Sequence, residues 1–172
     1  MTKHKYDPFC CSCRVAQGVL KPKRQKLKLK GEWLLCHNDR GYLGHLVLQT
    51  EGHVSAFNEL LPSQKRWLGK HLSAIEMVMR RKWPEWFAEE LVHLYVVAFS
   101  EAPGWHLHLH LFARPKSFES FDNWGRHKAW GIGGIDKDSQ FPDLYKFDED
   151  RADTLVLALR DSLPPDCLAP DC

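Results

Sequence analysis

The chain has 172 residues, of which 44% are hydrophobic and 27% charged, with a formal net charge of +2. This is ordinary for a soluble globular protein that builds one domain with a full core. No apolar run approaches the ~20 residues of a bilayer-spanning helix, and so small a net charge does not by itself imply a nucleic-acid partner. The polar segment Met1 to Pro8 lacks the apolar stretch of a secretory signal, so a cytoplasmic location with no membrane partner is expected.

Cysteines stand at positions 10, 11, 13, 36, 167 and 172. Without a secretory signal a disulfide framework is not expected. Cys10 and Cys13 have the spacing of a metal knuckle or of a redox pair, with Cys11 and Cys13 a second possible ligand pair of narrower spacing. Basic residues then cluster at Lys21, Lys23, Arg24, Lys26, Lys28 and Lys30. From Lys26 to Lys30 lysine alternates with Leu27 and Leu29, the pattern of a charged face on an edge strand; a surface for an anionic ligand or RNA is the alternative.

Glu32 to His37 is a short apolar run with strand character, Asn38 to Gly41 a turn, and Gly44 to Gln49 the next strand of an antiparallel hairpin. Leu61-Pro62-Ser63 opens a long helix, with Leu68, Leu72, Ile75 and Met79 as its core-facing stripe. It should end near Trp83-Pro84, since proline disfavours helical geometry in the residue before it, with a further turn over Pro84 to Glu90. Leu91 to Phe99 reads as a strand, Ser100 to Gly104 as a turn, and Trp105 to Ala113 as another strand.

The elements together predict an α+β domain, an antiparallel sheet of about five strands with one long helix packed on it. Residues 1–115 form this unit, with the cysteine knuckle at its start. Residues 116–163 extend it, with a glycine- and tryptophan-rich loop (Trp124 to Gly134) and a second helix carrying Leu155, Leu159 and Leu163. Residues 164–172 read as a flexible tail.

The strand from Trp105 contains His106, His108 and His110 alternating with Leu107, Leu109 and Leu111. With a side-chain period of two, the three imidazoles project from one face and the leucines from the other. Three histidines on one face are not explained by burial, because each would need its own hydrogen-bond partners there. A site is expected. A metal held by Cys10 and Cys13 needs two more ligands, for which His53 and His106 are the candidates; two thiolates and two imidazoles make the closed, structural shell of zinc.

The run Gly44-His45-Leu46-Val47-Leu48, then His53-Val54, a long helix, a strand, and Trp105-His106-Leu107-His108-Leu109-His110-Leu111-Phe112 resembles the histidine-triad superfamily over about residues 8 to 115. The resemblance implies a nucleotide hydrolase or nucleotidyl transferase acting on the α-phosphate of nucleoside phosphates, dinucleoside polyphosphates or nucleotide conjugates. The middle histidine, His108, would be the nucleophile, with His106 and His110 setting its tautomer, stabilising phosphoryl charge or assisting the leaving group. Zinc-containing members map their ligands onto Cys10, Cys13, His53 and His106. Homodimerisation is common in the family.

Many members place Gln-Ser-Val just before the triad to bond the phosphate. Here that stretch is Ala102-Pro103-Gly104-Trp105. Phosphate and nucleoside contacts are therefore expected from Ser100, from backbone near Gly104, from Trp105, and from Asn38 or Asp39 toward a ribose hydroxyl. The missing donors also leave room for a non-catalytic nucleotide-binding or sensor module of the same fold.

Overall fold

A computed structural model of the chain describes residues 6–20, 24–38, 42–98, 106–117 and 143–170. The runs with a period of two become strands: β1 (Lys26–Leu29), β2 (Trp33–His37), β3 (His45–Thr50), β4 (Leu91–Ala98) and β5 (His108–Pro115). They form one five-stranded sheet in the order β1-β2-β3-β5-β4, antiparallel at every step. The helices are α1 (Cys11–Ala16), α2 (Pro62–Phe87) and α3 (Glu149–Ser162). The hairpin, the long helix and the second helix follow the sequence pattern. The turns expected at Asp39 to Gly41 and Ser100 to Gly104, and the loop from Trp124, lie outside the described residues. Among the described residues no helix is long and apolar enough to cross a membrane.

Register explains why the sheet has two unlike faces. Leu27, Leu35, Leu48 and Leu109 pair in one row across four strands. They are buried with Ile75, Val78, Met79 and Trp83 of α2 and Leu155, Val156 and Leu159 of α3. Each such leucine contributes about 1.5–3 kcal/mol through burial. The next row, Lys26, Cys36, Val47, His110 and Val97, faces the other way. Both long helices thus sit on the leucine face, which leaves the histidine face open for a site.

Helix α2 begins as expected, with Pro62 in its first turn and the Gln64 side chain accepting the Leu61 amide at 2.8 Å. Its buried stripe differs from the predicted one. Ile75 and Met79 are buried, but Leu68 and Leu72 only flank the core, and the face is completed by His71, Ala74, Val78, Trp83 and Phe87. The helix also runs through Pro84 to Phe87. Pro84 is exposed, so its ring meets solvent, while Trp83 and Phe87 on the buried side stack 4.4 Å apart. Their packing outweighs the lost hydrogen bond. Ala88, in the left-handed region at φ 56°, then ends the helix.

The segment expected to be a flexible tail is fastened to the sheet. The Cys167 carbonyl accepts the Lys30 amide at 2.9 Å, and the Ala169 amide donates to the Lys28 carbonyl at 3.2 Å. Leu168 bridges to Leu29, and Cys167 is buried. These bonds cover the C-terminal end of the β1 edge, which protects part of an otherwise open edge.

Gly44 stands where β3 begins, at φ +100°. A Cβ there would come within 2.5 Å of Trp83 and 3.0 Å of Ala113. Gly44→Ala is therefore expected to cost about 2–4 kcal/mol. Equilibrium urea unfolding measures this; an unchanged midpoint would show that the contact between β3 and α2 tolerates a side chain.

Candidate active site and metal centre

Strand β5 begins at His108, so His106 lies just before the paired segment, with its ring against Cys10, Cys13 and His53. His108 lies opposite Gln49 and His110 opposite Val47 on β3, with ring centroids 4.8 Å apart. Both rings border an open cleft of about 170 Å³.

The two histidines are held by unlike hydrogen bonds. His108 Nδ1–H donates to the His106 carbonyl at 2.7 Å, which leaves the lone pair on Nε2. On the other side, the Asn38 amide lies over the His45 ring, with Nδ2 3.0 Å from Nδ1 and 3.4 Å from Nε2. His45 Nε2 and His110 Nδ1 share a hydrogen bond 2.8 Å long, in which one nitrogen supplies the proton and the other the lone pair. Burial first, and repulsion from His108 second, lower the His110 pKa to about 4, so the ring is neutral at physiological pH. His108 thus offers a lone pair to the cleft, beside the neutral His110 ring.

His45 is the member of this chain that sequence reasoning missed. Its position at the head of β3 was visible, but its contact with His110 depends on β3 pairing with β5, 65 positions away. Asn38, expected to meet a ribose hydroxyl, lines the cleft and lies over the His45 ring. Lys26 and Arg24 border the same cleft, as do Ser12 and Val15 of α1. Asp39, Ser100, Gly104 and Trp105 lie outside the described residues.

The four expected metal ligands converge. Among the described residues, Cys10, Cys13, His53 and His106 are the one group of candidate ligands close enough to share an ion, with ligand atoms within 4.8 Å of one another. Cys13 Sγ lies 3.4 Å from His106 Nδ1 and 3.6 Å from His53 Nδ1, and Cys10 Sγ lies 3.6 Å from His106 Nδ1. A tetrahedron with metal–sulfur bonds of about 2.3 Å and metal–nitrogen bonds of about 2.0–2.1 Å has S···N edges of about 3.6 Å. The donor set fits. Cys11 is exposed and stands apart from the group.

His106 is braced for ligation. Its Nε2 lies 2.9 Å from both the carbonyl and the hydroxyl oxygen of Thr50, and that hydroxyl donates onward to the Gly52 carbonyl. The Nε2–H is thereby held, and Nδ1 faces the thiols. The ring faces this cluster, and its backbone carbonyl accepts from His108.

No protein-family model matches the chain, and no curated protein matches it. Solved structures do. A Hit-like protein involved in cell-cycle regulation from Bartonella henselae superposes with a TM-score of 0.58 at 11% identity, over 92% of this chain and 99% of that one. A zinc-bound histidine triad family protein from Mycobacterium smegmatis gives 0.58 at 14% identity, over 89% and 94% of the two chains. A hypothetical histidine triad nucleotide-binding protein from Sulfolobus tokodaii gives 0.51 at 13%, over 89% and 91%. The chain has the α+β fold of the histidine-triad proteins.

Two histidines of this site make stability depend on pH. His37 accepts the Gly44 amide at 3.1 Å, and burial, with repulsion from Arg24, lowers its pKa from 6.5 to about 4, as burial also does for His110. Below about pH 6.5 the unfolded chain takes up protons at these positions that the folded chain refuses until about pH 4. Their contribution is full above pH 6.5 and drains as pH falls. The urea midpoint is expected to fall between about pH 7.5 and about pH 5, and His37→Gln to flatten part of that fall. An identical slope in the variant would contradict the assignment.

Proposed function

We propose that the protein belongs to the histidine-triad superfamily and is a nucleotide hydrolase or nucleotidyl transferase working through a covalent His108–nucleotidyl intermediate. The reading rests on the Nε2 lone pair of His108 beside the neutral His110 ring, both at one cleft. In the first step His108 Nε2 forms a bond to the α-phosphorus as the bond to the leaving group breaks. The His110 N–H meets a phosphoryl oxygen where negative charge develops, and its low pKa keeps the ring a neutral donor rather than a competing cation. Water, or a second acceptor, then attacks phosphorus and releases the nucleotide, restoring the His108 lone pair.

The nucleoside would lie along the cleft toward Asn38 and Lys26, with phosphate contacts completed by Ser100, Gly104 and Trp105 and a ribose contact from Asn38 or Asp39. Substrates are nucleoside phosphates, dinucleoside polyphosphates or nucleotide conjugates. Zinc in the Cys10, Cys13, His53, His106 shell, with every position filled by protein, supplies structural fastening of the N-terminal segment. Thiols kept ready for a metal require a reducing compartment, which supports the cytoplasm. At the opposite edge of the sheet β4 is half-exposed, with Val96 on the surface; a second copy paired along it would cover that edge, which supports a homodimer.

Two expected outcomes test this reading. Elemental analysis of the purified protein should give about one zinc per chain, lost in Cys13→Ser; a metal-free protein with unchanged melting temperature would remove the zinc assignment. Mixed with adenosine 5′-phosphoramidate, the wild type should release AMP and show an intact mass raised by one nucleotidyl group, while His108→Ala should lose at least about 1,000-fold in turnover. Tight AMP binding without turnover in the wild type would instead support a nucleotide sensor.

A further inference from the structure

The N-terminal arm is held to the domain in an unusual way. Of α1, only Cys13 is buried, and the large apolar side chains near it, Phe9 and Val19, are 92% and 57% exposed. A six-residue helix does not hold its own shape in water. Among the described residues the arm therefore has little hydrophobic anchorage, and it is attached by the Cys10 and Cys13 thiols in the ligand cluster and by one side-chain hydrogen bond. That bond runs from Gln49 Nε2 to the Ser12 carbonyl, 3.0 Å long, between the two thiols in sequence. Gln49 is 3% exposed and is the direct cross-strand partner of His108.

This arm is also a wall of the substrate cleft. Ser12 and Val15 border the cleft from one side, opposite His108 and His110. A second link runs through His106, whose ring belongs to the ligand cluster while its carbonyl receives the His108 Nδ1–H. Whatever fixes the arm therefore completes the cleft and steadies the nucleophile's support.

We propose that metal in the knuckle and nucleotide in the cleft bind with positive coupling, transmitted by the arm, and that Gln49 is the positioning residue that carries it. The proposal rests on the function proposed above, since it needs a nucleotide in that cleft. Metal loading closes the wall formed by Ser12 and Val15, and a nucleotide lodged between this wall and the sheet holds the arm down over its metal. By linkage the two effects are equal in size.

The test uses the full-length zinc-loaded protein and AMP, a product that does not turn over. AMP affinity is measured by calorimetry before and after zinc is stripped with a chelator, and zinc extraction by a chromogenic chelator is followed with and without saturating AMP. The coupling predicts AMP binding at least about fivefold weaker in the stripped protein and a zinc affinity raised by the same factor. Amide hydrogen exchange over residues 6–20 should rise on stripping while the sheet stays protected. Gln49→Leu, which keeps the side-chain volume and removes the donor, should still bind one zinc but bring the coupling factor close to one; Gln49→Asn should give the same loss.

If loaded wild type binds no AMP, the proposed function falls and the coupling falls with it. If AMP binds the loaded and stripped proteins equally, or fails to slow zinc extraction, the coupling alone is overturned. Coupling that survives unchanged in Gln49→Leu removes Gln49 from the role.

Discussion

One residue, His106, holds the site together by serving two centres at once. Its ring places Nδ1 between the Cys10 and Cys13 thiols, and its carbonyl takes the Nδ1 proton of His108. The ring is fixed by Thr50 at the end of β3, so the bond to His108 inherits the rigidity of the sheet. A carbonyl accepts a hydrogen bond and cannot donate one. It therefore admits a single neutral tautomer of His108, with the lone pair on Nε2. His110 is held from a separate side, by the hydrogen bond between its Nδ1 and His45 Nε2. The two rings stand 4.8 Å apart under unlike supports.

The rest of the fold serves this arrangement by keeping one face of the sheet clear. Placing α2 and α3 together on the leucine face gives the domain its core, and among the described residues the short N-terminal arm borders the histidine face. Trp83 illustrates the division of labour: it is fully buried, packs against Phe87 and Tyr145, and presses against Gly44 at the head of β3. Its packing sets where His45 enters the sheet. The buried neutral histidines carry a cost in the form of sensitivity to acid, because His37 and His110 can gain a proton only by losing the environment that holds them.

Much of this was legible in the sequence because it was local. Alternation in Lys26 to Leu29, in the hairpin and in the histidine run gave the strands, Pro62 marked the start of the long helix, and the ligand spacing of Cys10 and Cys13 with His53 and His106 named the metal candidates. What was hidden depends on pairing between distant segments. His45 meets His110 only because β3 lies beside β5, and Leu168 meets Leu29 only because the C-terminal segment returns to the sheet edge. The paired strand starts at His108, and His106, just before it, joins the ligand cluster for which its sequence position had made it a candidate. Pro84 was misleading, because local propensity argued for a stop, while the burial of Trp83 and Phe87 carried the helix onward.

The central claim is that His108 is held as the tautomer with its proton on Nδ1, pinned there by the His106 carbonyl. Long-range proton–nitrogen NMR on the zinc-loaded protein with labelled histidine, at slightly alkaline pH, reads each ring nitrogen directly. The account predicts a protonated Nδ1 and bare Nε2 on His108. A proton on Nε2 with Nδ1 bare would contradict it, because Nε2 could then not attack phosphorus and Nδ1 could not donate to the His106 carbonyl.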